Sequence, residues 1–489
     1  MRQPPVRTVL SITFSPQLPR MCKDDPSAPL HPWGRQILDD GPANRRCGVP
    51  AAIGSNGRPT SIDHGLIRWH RCTGRGDSRR PRLRSTMRVL MVTQFYPPVA
   101  GGQEQHVRNL AQALAERGHG VEVATIAVDG PEGTILDGPV PVHRMRTAAQ
   151  SLPHLYSESG RPHAMPTIDP RFRAGIRRLL VAGSFDVLHA HDWSVNSAIG
   201  PARRCGVPLV LTQHEYSHVC ATKRLMRGDD VCPGPAPLAC IRCASSKHGP
   251  VVGPAVVLAN FAGYRARRRQ VAAFVPVSSV VAVSTGLPGR CSYEVIPNFI
   301  PDDLLLDDAA PHPDGPVMFV GDLSRDKGVQ VLIEAYRRLG DAPPLTLAGR
   351  VLEETPLDLP DRVELRGLLD HAAVMALMRT ASMVVVPSIV PDCCPTVVLE
   401  AMAAGRPVVA AASGGIVDLV EDGVTGLLVA PGDPVALAAA LSLLIADRAA
   451  AAAMGRRGLD RVRSFTASAV VGRIEDLYER LIAGVSTRK

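Results

Sequence analysis

From Met87 onward the chain alternates short apolar runs with amphipathic stretches. RVLMVT (88–93) is followed by a Gly-bearing loop, QFYPPVAGGQE. In QHVRNLAQALAERG, Val107, Leu110, Ala111 and Leu114 then fall at the spacing of one helix face. Gly118 ends that helix and VEVATIAV opens the next strand. FDVLHAHDW, a helix over 194–204 and VPLVLTQHE repeat the rhythm. After YEVIPNFIPDD it restarts with PVMFVGDLSRDKGVQVLIEAYRRL. PLTLAG, RVELRG, ASMVVVPS and RPVVAAAS give four further strand-like runs, and the chain from Asp433 on is Ala/Leu-rich helix. Such a pattern predicts an α/β fold of two doubly wound, Rossmann-like halves. The expected domains are 87–297, with a Cys-containing insertion at about 217–250, and 298–465. A last helix, 466–489, is expected to cross back to the first domain. In such folds ligands bind outside the carboxyl ends of the strands, so the site is expected in the crevice between the halves.

Composition narrows this picture. The chain has 489 residues, too many for one ordinary domain, and 45% of them are hydrophobic although only 4% are aromatic. A core of Ala, Val and Leu suits buried parallel strands covered by helices. No apolar run reaches the roughly 18 residues of a membrane span, and the N-terminus lacks a secretory pattern. The expectation is a cytoplasmic protein. The net charge of +9 does not point to nucleic acid. Residues 1–86 carry 15 of the 55 Lys and Arg and 6 of the 46 Asp and Glu, which leaves 40 of each sign for the rest. A nucleic-acid footprint would be a basic face on the folded part. The basic leader itself is rich in Pro, Arg and Gly without period, a composition expected of disorder, and reads as lying outside the functional protein.

Three loops stand where a ligand would sit. Gly101 and Gly102 precede a helix, either as a plain turn or as a close backbone approach to an anion. In GDLSRDKG a strand ends at Gly321, and Arg325 and Lys327 stand where a helix opens at Gly328. Two cations there oppose the helix dipole unless an anion shares the site, and a solvated loop is the alternative. In PDCCPTVVLEAMAAG, Asp392 lies on the loop and Glu400 about two turns into the following helix, on the order of 6–12 Å along it. That is too far for one metal ion. Cys393 and Cys394 are adjacent and do not form a CxxC redox pair. An acid, a helix N-terminus near Thr396 and Val397, then an acid, suit the two ends and the middle of one elongated anionic ligand.

These stretches, with VELRGLL, VIPN and GGIVDLVEDGVTGLLVAPGD in the same order, resemble a family 4 retaining glycosyltransferase of the GT-B fold over residues 87 to roughly 485. The resemblance implies two Rossmann-like domains facing across a crevice and a nucleotide-diphosphate sugar as donor, with an acceptor the sequence does not identify. Glu400 matches the family's second motif Glu, on the donor ribose. Asp392 falls where the first Glu contacts the donor sugar, a departure shorter by one methylene. Lys327 matches the phosphate-binding Lys. The usual family Arg is replaced by Asp322, a charge reversal beside a diphosphate, for which Arg325 is the candidate substitute. Gly101, Gly102 and Gly321 match donor-binding loops, His214 the His near the transferred sugar, and the amides of Thr396 and Val397 the diphosphate cradle. The donor base would sit near Gly349 and Gly367. No Asp-x-Asp metal motif lies on a strand-end loop, so no metal or other cofactor is expected. The resemblance implies front-face transfer, with the departing phosphate accepting the acceptor's proton.

Other features keep open readings. Cys220, Cys232, Cys240 and Cys243, the last two as C-x2-C, have zinc-like spacing or are plain reduced thiols. Arg265, Arg267, Arg268 and Arg269 fall on one predicted helix, as a solvated face or a peripheral contact with anionic lipid at the inner membrane face. His189, beside His191, reads as a structural hydrogen-bonder. Two functional alternatives remain: a sugar-nucleotide epimerase of the same architecture, or a sugar-nucleotide-binding protein without turnover, suggested by Asp322.

Overall fold

The computed structural model describes residues 86–99, 101–128, 130–151, 163–305 and 312–486; the basic leader up to residue 85 lies outside them. Two sheets organise the described chain. The first orders its strands β3-β4-β2-β1-β5-β6-β9. They are β1 (Arg88–Val92), β2 (Gly120–Ile126), β3 (Gly133–Asp137), β4 (Val140–Met145), β5 (Val187–Ala190), β6 (Leu209–Gln213) and β9 (Ala273–Pro276). Every pairing is parallel except that of β3 with β4. The second sheet, wholly parallel, runs β12-β11-β10-β13-β14-β15. Its strands are β10 (Val317–Val320), β11 (Leu345–Ala348), β12 (Val363–Gly367), β13 (Met383–Val386), β14 (Val408–Ala411) and β15 (Gly426–Val429). A short hairpin, β7 (Met226–Arg227) with β8 (Asp230–Val231), stands apart.

The period-2 alternation of each strand explains the layering. In β1, Val89 and Met91 face one core with helix Gly102–Glu116, whereas Leu90 and Val92 face another with helices Pro170–Gly183 and Val195–Cys205. Both faces are covered, so the strands read as continuous apolar runs. The second sheet packs against helices Val329–Arg338 and Pro434–Ala446 in the same way. Helix Ala467–Ser486 closes the first sheet. Its Val470, Val471, Ile474, Leu477 and Tyr478 complete the Val89/Met91 core, and the Arg117 guanidinium reaches Glu475 at 2.8 Å.

In each sheet the chain first builds outward on one side and then on the other. The reversal falls between β1 and β5 in the first lobe and between β10 and β13 in the second. At such a reversal the loops leaving two neighbouring strands diverge and leave a crevice at the carboxyl edge. The lobes meet where Asn298 donates to the Cys394 carbonyl at 2.8 Å and Ser279 donates to Asp418 through its amide and hydroxyl at 2.7 and 2.8 Å. The β7–β8 hairpin adds a reciprocal pair of bridges: Asp229 meets Arg325 at 2.7 Å, and Arg224 meets Asp326.

Candidate active site

In the second lobe the loops after β10 and β13 face each other across the reversal. Lys327 Nζ lies 2.5 Å from Asp392 Oδ1, and the Ser388 hydroxyl donates to Asp392 Oδ2 at 2.5 Å. Burial disfavours the Lys327 ammonium, but Asp392, and more weakly Asp322, outweigh it and hold its pKa above the usual value. Asp322 is itself gripped in a fork by Arg350, at 2.7 and 3.2 Å. The charge reversal at Asp322 is thus answered from the end of the neighbouring strand, β11, a partner the sequence did not suggest. Arg325 stands elsewhere: its guanidinium takes Asp229 of the hairpin, and its amide donates to Glu354 at 3.1 Å.

Two glycines allow this loop packing. Gly328 has φ 73°, and a Cβ there would lie 2.0 Å from the Pro387 carbonyl oxygen. Gly414 has φ 57°, and its Cβ would lie 2.1 Å from the Asp392 carbonyl oxygen. Beside it, the Gly415 amide donates to that same carbonyl at 2.6 Å. The second glycine pair is therefore the seat of the acid loop.

Helix Thr396–Ala403 begins four residues past Asp392 in the chain, after Pro395, with no side-chain cap on its first amides. The first loop arrives here from the other lobe. A Cβ on Gly102 would stand 3.8 Å from the Thr396 hydroxyl, which brings Gly101–Gly102 and Thr396–Val397 to one place. Further along, the buried Glu400 meets His371 Nε2 at 3.1 Å. That hydrogen bond outweighs desolvation and raises the His371 pKa. His371 opens helix His371–Thr380, with Asp370 capping it by accepting from Ala373 N. Its only sequence signal is that cap, which says nothing of Glu400. Burial pushes the Cys394 thiol up to about 12 and the Cys393 thiol well above its usual value, so both stay protonated.

In the first lobe, His214 follows β6 within a group of imidazoles. His191 Nδ1 lies 3.2 Å from His214 Nε2, and the His106 ring centroid lies 4.8 Å from that of His214. His189 is held by the Tyr478 hydroxyl at 2.6 Å and the Thr212 hydroxyl at 2.7 Å. Burial lowers all four, to about 4 for His106 and about 3 for His189, with neighbouring imidazoles deepening the shift at His189, His191 and His214. The cluster is neutral at pH 7. Asp192 ties the loops after β1 and β5 together, accepting from Gln94 N at 2.6 Å, Ser194 N at 2.6 Å and Gln103 Nε2 at 2.9 Å.

Cys220, Cys232, Cys240 and Cys243 line one cavity of about 20 Å³. Burial raises the Cys240 thiol, and among the described residues no set of His, Cys, Asp and Glu stands ready to hold a metal ion. The arginine cluster needs a correction. Arg267 is 1% exposed and bonds His218, Asn196 and Asn260, so it is a core residue and not a membrane contact. Its neighbours Arg265, Arg268 and Arg269 are exposed. Among the described residues no single helix is long and apolar enough to cross a membrane.

Two lobes of this topology, with a cation, an acid and a helix N-terminus at one strand reversal and imidazoles at the other, define a GT-B sugar-nucleotide glycosyltransferase. The family model for Glycosyltransferase Family 4 matches residues 100–304 and that for Glycosyl transferases group 1 matches residues 315–447. Glycogen synthase of Mycobacterium tuberculosis is 32% identical over 77% of this chain and 91% of its own length. Phosphatidyl-myo-inositol mannosyltransferase of Mycobacterium leprae is 28% identical over 80% and 96%. In fold, sucrose-phosphate synthase from Thermosynechococcus elongatus superposes with a TM-score of 0.65 at 22% identity, over 81% of this chain and all of that one. Anabaena HepE in complex with UDP-glucose does so with a TM-score of 0.59 at 19% identity, over 81% of this chain and all of its own. The chain belongs to glycosyltransferase family 4.

Proposed function

We propose that the chain is a retaining, metal-independent transferase that moves a sugar from a nucleotide diphosphate to an acceptor hydroxyl. The observation that carries this reading is the Lys327–Asp392 pair, set across the strand reversal beside the uncapped N-terminus of helix Thr396–Ala403. A diphosphate entering there exchanges places with Asp392 on Lys327 and takes the amides of Thr396 and Val397. Asp392, released, turns to the sugar hydroxyls, and Glu400, oriented by His371, takes the ribose. Gly101 and Gly102 approach the donor from the first lobe, Gly321 gives it room at the end of β10, and Arg325 joins the phosphates only by leaving Asp229 of the hairpin. The bond from the anomeric carbon to the phosphate oxygen breaks and a bond to the acceptor oxygen forms on the same face. The acceptor's proton passes to the departing phosphate, whose charge Lys327 and the helix end stabilise. His214, held neutral, serves as a hydrogen-bonding partner of the sugar and not as a cation. We place this encounter at the cytoplasmic membrane face, where the exposed Arg265, Arg268 and Arg269 meet anionic lipid.

The test uses thermal shifts with UDP-, GDP- and ADP-sugars on the wild type, Lys327→Ala and Glu400→Ala. Stabilisation by one nucleotide class, lost in both variants, is expected. Product NMR should show the donor's anomeric configuration kept, with turnover unchanged by EDTA. An inverted product, or EDTA-sensitive turnover, overturns the corresponding part of the reading.

A further inference from the structure

A cavity of about 410 Å³ lies at the carboxyl edge of the first sheet, within the range of small-molecule sites. Ile126, which ends β2, and Trp193, which follows β5, contribute to its wall, so it borders the reversal at β1. Met165, Phe172, Val252 and Ala255 add hydrocarbon. The polar groups of the wall are largely turned to the backbone. Asp169 accepts from Ala149 N and Phe172 N, Ser197 accepts from Asp169 N, and Ser194 donates to the Val92 carbonyl. Two large aliphatic side chains that also line it, Val251 and Ile168, are 83% and 53% exposed. Packed interiors hold few voids larger than a water molecule, and an apolar hollow with an exposed apolar rim marks a place for a guest.

The cavity adjoins the reacting centre. Trp193 also walls the small pocket that contains His214. On the other side the ring of His163, a lining residue, packs 5.1 Å from Phe95, on the loop leading to Gly101. A molecule presenting a hydroxyl near His214 can therefore lay an apolar tail here.

Resting on the transferase reading above, we propose that the acceptor is amphiphilic and that this cavity holds its hydrocarbon chain beside the hydroxyl to be glycosylated. The probe is a series of hexyl, octyl and decyl β-glucosides, kept below their micelle concentrations and titrated into the full chain by calorimetry. With about 0.8 kcal/mol per buried methylene, affinity should rise about 15-fold for each added pair. Ala255→Trp, or Ala259→Phe if the first does not fold, fills the hollow and should flatten that dependence while leaving sugar-nucleotide stabilisation intact. Equal affinity for hexyl and decyl chains, or a dependence that survives both substitutions, overturns the proposal. Absence of sugar-nucleotide stabilisation in the wild type, with the chain-length dependence present and sensitive to Ala255→Trp, defeats the transferase reading and leaves the cavity assignment standing.

Discussion

The two lobes share a topology and differ in the chemistry they place at its reversal. In the second lobe the strand ends gather charge: Lys327, Asp392, Asp322 and Arg350 form a connected set in which every positive group has an acid beside it. In the first lobe the same location gathers His106, His189, His191 and His214, neutral through burial, next to a hydrocarbon hollow. Such a division suits a reaction in which one partner is a dianion and the other an alcohol. One side must replace the solvation of charge, and the other must exclude water without adding charge of its own.

Removing the cation should break the contrast most severely. On the proposed donor site, Lys327→Ala would deprive the diphosphate of its principal charge and leave Asp392 facing it. A fall in kcat/KM of about a thousandfold or more, about 4 kcal/mol, is expected. Steady-state kinetics beside a circular dichroism spectrum check it; a loss under tenfold would remove Lys327 from the donor site.

The imidazole side is probed by acid. Unfolded, each histidine takes up a proton near pH 6.5, whereas folded His106 and His189 do so only near 4 and 3. The unfolded state therefore binds more protons between those limits, and stability falls as pH drops below about 6.5. Each such group contributes at most ~1.4 kcal/mol per pH unit. His106→Phe should reduce the slope of unfolding free energy between pH 6 and 5 by up to that amount, read from urea titrations, even where stability at pH 7 is lower.

A smaller effect separates Arg350 from Lys327. Arg350→Ala leaves Asp322 uncompensated and, on the proposed donor site, should weaken donor binding about tenfold, near 1.4 kcal/mol. Adding Asp322→Ala should restore most of it, and failure to do so would mean that Arg350 does more than answer that carboxylate. The smallest effect belongs to the hairpin bridges. Arg224→Ala breaks a half-exposed ion pair worth roughly 0–1 kcal/mol. It should leave the melting temperature nearly unchanged while making donor KM less sensitive to added salt.

Much of the architecture was legible in the sequence because period-2 and period-3.6 patterns record which side of an element is covered. The strand-end loops stood out because a glycine pair before a helix and two cations at a helix start are locally costly, but the sequence did not show that Asp392 and Asp229 meet those cations. Pairings between distant elements were not legible. Nothing near His371 signals that it meets Glu400, 29 residues away, and nothing near Arg350 marks it as the partner of Asp322. Arg267 misled because its three neighbours are surface arginines and helix phase alone decides which one turns inward. The apolar cavity was invisible too, since its walls come from elements dispersed between Ile126 and Ala259 and each residue would serve equally well in a filled core.

The helix Ala467–Ser486 has a consequence for the birth of the molecule. The sheet it covers has all its strands once Pro276 has been translated, yet the helix begins roughly 190 residues later. At 5–20 residues per second the Val89 and Met91 face waits about 10–40 s for the second of its two covering helices. During that interval the first lobe is a nascent chain with this side covered only in part, by helix Gly102–Glu116, and the rest of it is the kind of surface a ribosome-bound chaperone holds. The earliest lobe to be made is the last to be finished, and a stall within the second lobe would leave the first unfinished on the ribosome.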